Sequence, residues 1–263
     1  MNEASAPAAA PVENGGEFYI GWAPTPPGHR RFLRWVVLGL CLTACGVAAA
    51  IVGGLRHEAR ATFEYGKPRL WRGRLALQPA PLLWTDDGRA LYLVAPGKHG
   101  AAALLAGLDG AAVELRATLI ERDGLLGPQR MLEVESLEER HVHAGAERTL
   151  AALPAARSLG RVRWRGEIAD GKCFLGLMVP GEGKTHRDCA ARCIAGGTPP
   201  MLALADGRGG SAAVLLAAAD GAPLGAVLAP FAGEPVWVSG ELTAYGDLMV
   251  LVIEATVVER ASG

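Results

Sequence analysis

The sequence predicts a mainly β protein: one N-terminal transmembrane helix followed by two tandem OB-like small β-barrels. Three observations carry that reading. An uncharged apolar run, Trp35 to Leu55, stands near the start of the chain. Gly and Pro are abundant, 35 and 17 of 263 residues, while aromatics are only 6%, which suits many short elements joined by turns. Beyond the apolar run, the chain repeats itself.

The apolar run reads WVVLGLCLTACGVAAAIVGGL. At about 1.5 Å rise per residue it crosses a hydrocarbon core of roughly 30 Å. Lipid offers the backbone no hydrogen-bond partner, so the segment must be helical. Arg30, Arg31 and Arg34 crowd its N-terminal edge, with Trp35 at the interface. That cluster places the N-terminus in the cytoplasm and the large C-terminal portion outside, because large domains translocate largely regardless of charge. Leu42-Thr43-Ala44-Cys45 looks like a lipoprotein box, but the apolar run continues ten residues past Cys45. Cys41 and Cys45 are better read as small helix residues.

Residues 1–34 form a tail of two parts. The first 16 are mostly Ala, Pro, Glu, Asn and Gly, a composition that cannot bury a core. Phe18, Tyr19 and Trp22 then precede Pro24-Thr25-Pro26-Pro27. The plainer reading is an interfacial segment on the headgroups. The sharper one makes Phe18, Tyr19 and Trp22 a docking element for another membrane or envelope subunit.

The remainder reads as a duplication. Trp71-Arg72-Gly73-Arg74-Leu75 opens one half and Trp164-Arg165-Gly166-Glu167-Ile168 the other. Apolar strands are expected at 90–95 and, correspondingly, at 201–205. Each half closes on two strands and a turn: 112–121 with 131–135 around Asp123-Gly124, and 235–243 with 248–254 around Gly246-Asp247. Val236, Val238 and Gly240 alternate with Trp237, Ser239 and Glu241, the period-2 signature of a half-buried strand. Small antiparallel units of this size close into barrels to remove their edges. The predicted domains are 62–140 and 160–258, joined by a linker over 141–159 with a short helix near Glu147 to Arg157.

All three cysteines beyond the apolar run fall in one stretch of the second half: Cys173, Cys189 and Cys193, with His186 between. A helix is expected from Thr185, capped with Asp188 and ended by Gly196-Gly197 before Pro199-Pro200. At 100° per residue, His186, Cys189 and Cys193 then lie within about 60° of arc. Four readings stand open. Cys173 forms a disulfide with Cys189 or Cys193, which an exported domain allows. Alternatively, Cys173, His186, Cys189 and Cys193 bind zinc or copper, although C-x12-H-x2-C-x3-C matches no specific zinc pattern. Third, Cys189, near the positive helix end, is a reactive redox thiol. Last, His186 or a Cys is an axial haem ligand; the absence of C-x-x-C-H argues against covalent c-type haem.

The stretch from Gly166-Glu167-Ile168 through Cys173, His186-Arg187-Asp188-Cys189-Ala190-Ala191-Arg192-Cys193 and Gly196-Gly197-Thr198-Pro199-Pro200 resembles a motif of uncharacterised bacterial exported and membrane-anchored proteins. The resemblance covers about thirty-five residues, the second repeat only loosely, and not the first. It implies a bacterial envelope protein and nothing catalytic.

Other residues carry less. His99, His141 and His143 lack a third ligand nearby in sequence, and Asp86-Asp87-Gly88 is first a hairpin turn. Gly183-Lys184-Thr185 would end a phosphate loop only with Gly at 178, where Met178 stands. No G-x-S-x-G occurs. A net charge of -1 supplies no basic groove for nucleic acid. The expectation is a non-enzymatic accessory or assembly subunit in the bacterial inner membrane, of a respiratory or redox complex, its domains periplasmic. Its partners are the lipid bilayer and other envelope subunits. The alternatives are a metal-binding protein and a thiol-disulfide redox protein.

Overall fold

The structure is a computed structural model describing residues 26–55, 60–125, 127–135, 153–205, 211–254 and 257–261. It divides into two compact units, one ending at Arg56 and the other running from His57.

The first unit holds helix α1, Pro27–Leu55. It starts eight residues earlier than the apolar run, so Arg30, Arg31 and Arg34 ride on the helix itself. Pro27 takes the first helical position, where its missing N–H costs nothing, and Arg30 N–H donates to Pro26 O at 2.9 Å. From Pro27 to Gly54 the helix is long and apolar enough to cross a membrane, and side chains such as Trp35, Leu40, Leu42 and Ile51 are exposed. Thr43 Oγ1 donates to Gly39 O at 2.9 Å, which satisfies the hydroxyl within the helix. Phe18, Tyr19 and Trp22 lie outside the described residues.

The second unit contains two closed five-stranded barrels. In the first, β2 (Arg69–Ala76), β3 (Leu82–Trp84), β4 (Ala90–Val94), β5 (Ala112–Arg122) and β6 (Gln129–Val134) follow a short β1 (Ala61–Phe63). The hydrogen-bonded order is β2-β3-β4-β6-β5, and β5 returns to β2 to close the circle. Only β4 and β6 run parallel; β1 extends the β5 edge. The second barrel repeats this with β7 (Ala156–Asp170), β8 (Pro200–Ala205), β9 (Ser211–Ala218), β10 (Pro235–Tyr245) and β11 (Leu248–Ile253). Here β9 and β11 are the parallel pair, β7 and β10 close the circle, and β12 (Val258–Arg260) extends β10. Helix α2 (Arg187–Ala195) lies between β7 and β8, and a single turn, α3 (Gly225–Leu228), between β9 and β10.

The repeat that opens each half has a steric meaning. A Cβ on Gly73 would meet Trp84 O at 2.2 Å, and one on Gly166 would meet Ala203 O at 2.5 Å. Each glycine lets the first strand of its barrel press against the second as it curves, which only a residue without a side chain permits. The alternation in β10 holds as expected, Val236, Val238 and Gly240 being buried and Glu241 exposed.

The alignment of the halves needs a correction. Strand β4, over 90–94, corresponds to β9 rather than to β8; the counterpart of β8 is the three-residue β3. Both β3 and β9 escaped notice, the one for its brevity, the other because SAAVLLAA is half alanine and carries little β propensity. The expected linker also ends early. Ala156 and Arg157 already belong to β7, so the described end of the anticipated helix is extended, and residues 136–152, with His141 and His143, lie outside the described set.

The barrels share a core. Tyr92, Ile120 and Met131 of the first pack with Met201, Leu215 and Val250 of the second, and with Phe174 and Leu175 from the segment after β7. Each barrel also has its own cluster, around Leu75, Leu93 and Leu115 in one and Val214, Val236 and Leu251 in the other.

Candidate functional site

The cysteine-bearing segment is an excursion between the first and second strands of the second barrel, closed at its base where Gly171 N–H donates to Pro199 O at 2.9 Å. The matching loop of the first barrel is only Leu77 to Pro81. After β7 the chain makes one π-helical turn, Cys173–Leu177, in which Gly176 takes φ 146° beside the backbone of Thr62. Cys173 therefore opens this turn rather than ending a strand.

Helix α2 begins at Arg187, with His186 at its cap position, and no side chain caps it. The expected Thr185–Asp188 capping box does not form. The other end behaves as predicted: Gly197, at φ +92°, lets its own N–H reach Ile194 O at 3.0 Å while Thr198 N–H reaches Cys193 O at 3.0 Å.

These elements place the four predicted residues in two trios that share Cys173. The ligand atoms of Cys173, His186 and Cys189 lie within 4.8 Å of one another, and so do those of Asp170, Cys173 and Cys193. Cys173, at the junction of the two trios, is 1% exposed, Cys193 2% and His186 4%; only Cys189 is partly open. A tetrahedral zinc bound at 2.0–2.3 Å spaces its ligand atoms by roughly 3.5–3.8 Å, so either trio by itself needs only small side-chain adjustments, while a single site with His186 and Cys193 both bound needs the two trios to close on each other.

No disulfide joins them. All five cysteines are unpaired in the structure, so the expected pairing of Cys173 with Cys189 or Cys193 is not seen. The Cys173 and Cys193 thiols are instead hydrogen-bonded to each other. That bond, then burial, raises the Cys173 pKa above the ordinary thiol value, while the same bond lowers that of Cys193.

Two residues that the sequence reading missed complete the site. Asp170, fully buried at the end of β7, accepts Cys173 N–H at 2.9 Å on Oδ1 and faces His186 Nε2 at 3.1 Å with Oδ2. The tautomer in which Nε2–H donates to that carboxylate would leave Nδ1 of His186 for a metal, the arrangement in which an outer carboxylate fixes a ligand imidazole. Lys98, from the first barrel, places Nζ 2.9 Å from Cys189 Sγ. This bond raises the Lys98 pKa above its usual value. Asp170 is three residues before Cys173 but belongs to no ligand spacing that singles it out, and Lys98, 91 residues before Cys189, gave no signal at all. His99 is exposed and stands outside both trios.

The neighbourhood is built from both barrels. Lys172, 1% exposed, donates to Ala95 O at 3.0 Å and Gly97 O at 2.8 Å and is ion-paired with Glu133. Arg122 donates to Phe174 O at 2.7 Å and lies 4.2 Å over the Phe174 ring. Gly100 N–H donates to Gly196 O at 2.9 Å. A crevice of about 250 Å³ flanks the far end of α2, but its lining, including Pro79, Pro81, Pro199 and Leu224, holds no ionisable side chain.

Comparison with protein-family models, with curated proteins and with solved structures gave no match for this chain.

Proposed function

We propose that this chain is a membrane-anchored, non-enzymatic accessory protein of the bacterial envelope that holds a closed, thiol-rich metal centre, of zinc or copper, in the second of its two barrels. Cys173, His186, Cys189 and Cys193 supply the ligands. The observation that carries this reading is the convergence of these four groups with Asp170 behind His186. Three sulfurs and an imidazole are the donors that zinc and copper(I) prefer. Burial of all but Cys189 favours a structural or storage site over an open, catalytic one. Helix α1 supports the anchor: it has the length and apolarity of a single span. Domains outside the membrane, and docking of envelope subunits through Phe18, Tyr19 and Trp22, extend the same reading.

Metal content and free-thiol count, on protein purified without chelator, test it. Stoichiometric metal that is lost in His186→Ala, with the fold kept, supports the centre. Absence of metal from the unaltered protein, with three titratable thiols in the second barrel, sinks it.

A second reading, a thiol-disulfide redox protein, is favoured by the ammonium of Lys98 beside Cys189, the one partly open thiol of the cluster. Its mark is disulfide turnover abolished by Cys189→Ser alone.

A further inference from the structure

The first barrel contributes more than packing to the cluster. Its segment from Ala95 to Gly100, directly after β4, lies across the centre and is held at both ends by residues that flank the ligands. At one end Lys172, next to Cys173, reaches the carbonyls of Ala95 and Gly97. At the other, Gly100 N–H bonds Gly196 O, close behind Cys193. The approach there is tight: a Cβ on Gly196 would meet Lys98 O at 1.9 Å and one on Gly100 would meet Gly197 O at 2.0 Å. Between these fastenings Lys98 extends to Cys189, the only ligand of the four that is open to solvent.

We propose that the 95–100 segment is a strap whose Lys98 ammonium is the outer charge partner of the metal centre, so that metal uptake fastens the first barrel to the second. This rests on the metal reading above. The charge count gives the reason. Three thiolates around a divalent ion leave a net charge of about -1, and around a monovalent ion about -2. Either complex is an anion in a largely buried site. Lys98 is the lysine whose ammonium contacts a ligand sulfur, and it stands where the complex meets water. Its attraction acts on the loaded centre more than on the protonated thiols, and linkage makes the effect reciprocal: a fastened strap raises metal affinity by the factor by which metal fastens the strap.

Zinc affinity of the full chain in detergent, measured by competition with a chromophoric chelator, tests this for the unaltered protein, Lys98→Met and Lys98→Arg. Hydrogen exchange is followed in parallel at the Gly100 amide, with and without zinc. Lys98→Met is expected to lower affinity roughly 10–100-fold, the range for outer-shell partners, and Lys98→Arg to recover most of it. Because Lys98 is exposed, the gap should narrow in about 1 M salt. Zinc should slow exchange at Gly100 in the unaltered chain and lose that effect in Lys98→Met. Equal affinities for all three chains, or a gap indifferent to salt, overturn the strap while leaving the metal centre standing. Zinc binding by none of them overturns both. Because Lys98 is exposed, its loss should not unfold the barrels; exchange of the β10 amides in metal-free protein checks this.

Discussion

His186 Nε2 meets Asp170 Oδ2 at 3.1 Å with both side chains sealed from solvent, 4% and 0% exposed. A buried carboxylate beside one imidazole nitrogen fixes the orientation of a ring that also lies within reach of Cys173 and Cys189. Asp170→Asn keeps the shape and removes the charge. It is expected to weaken zinc binding roughly 10–100-fold. Chelator competition measures it; an unchanged affinity would place His186 outside the ligand set.

The opposed pKa shifts of Cys173 and Cys193 give the metal-free protein a pH signature. Cys193 has its folded pKa below the ordinary thiol value of 9.0, so its contribution is complete above that value and is lost as pH falls through the lowered one. Cys173 has its pKa raised, so its contribution is complete below 9.0 and is lost as pH rises beyond it. Stability attributable to the pair should therefore peak near pH 9. Subtracting the Tm profile of Cys193→Ala from that of the unaltered chain, between about pH 7 and 10.5, should expose the maximum. A flat difference would mean that the two thiols titrate independently.

Accessibility orders the thiols. Iodoacetamide added to metal-free protein should label Cys189 well before Cys173 or Cys193, which are 1% and 2% exposed. Zinc should protect all three. Peptide mass spectrometry reads the order, and early labelling of Cys173 would contradict the burial described above.

Lys172 makes the joint between the barrels vulnerable at Glu133. Glu133→Ala leaves a fully buried ammonium with only two carbonyls. Breaking a buried pair from one side costs about 3–5 kcal/mol. Denaturant unfolding should show a loss of that order, and a change below about 1 kcal/mol would mean that the carbonyls suffice.

Gly73→Ala and Gly166→Ala should each destabilise by about 1–3 kcal/mol, since either Cβ collides with a backbone carbonyl that cannot rotate away. Tm measurements compare them, and parallel losses are expected because the two positions are equivalent.

The parts of this fold that could be read in sequence are those with periodic or repeated constraints. Gly73 and Gly166 stand out because the same collision forbids a side chain at both, and Val236, Val238 and Gly240 because one face of β10 is buried. Strand β9 hides in alanines whose burial comes from the neighbouring barrel, with Ala213, Leu215 and Ala217 all in the shared core. The site divides in the same way. His186 caps the helix that carries Cys189 and Cys193, so spacing alone puts the three close in space. Cys173 joins them through a turn with no regular period, while Lys98 arrives from another domain. The disulfide expectation rested on compartment rather than on geometry, and among the described residues no such bond is seen.

The hydrogen bond from Gly171 to Pro199 has a consequence for how this chain can be altered. Surface loops ordinarily accept inserted residues, tags or reporter sequences with little loss. The excursion from 171 to 199 is a loop by topology only. Its base is closed by that bond, Lys172 and Gly196 are tied to the first barrel, and its interior is filled by the thiols. Lengthening it anywhere would pull at least one fastening out of register, so it should tolerate residue replacement on its outer face far better than any change in length.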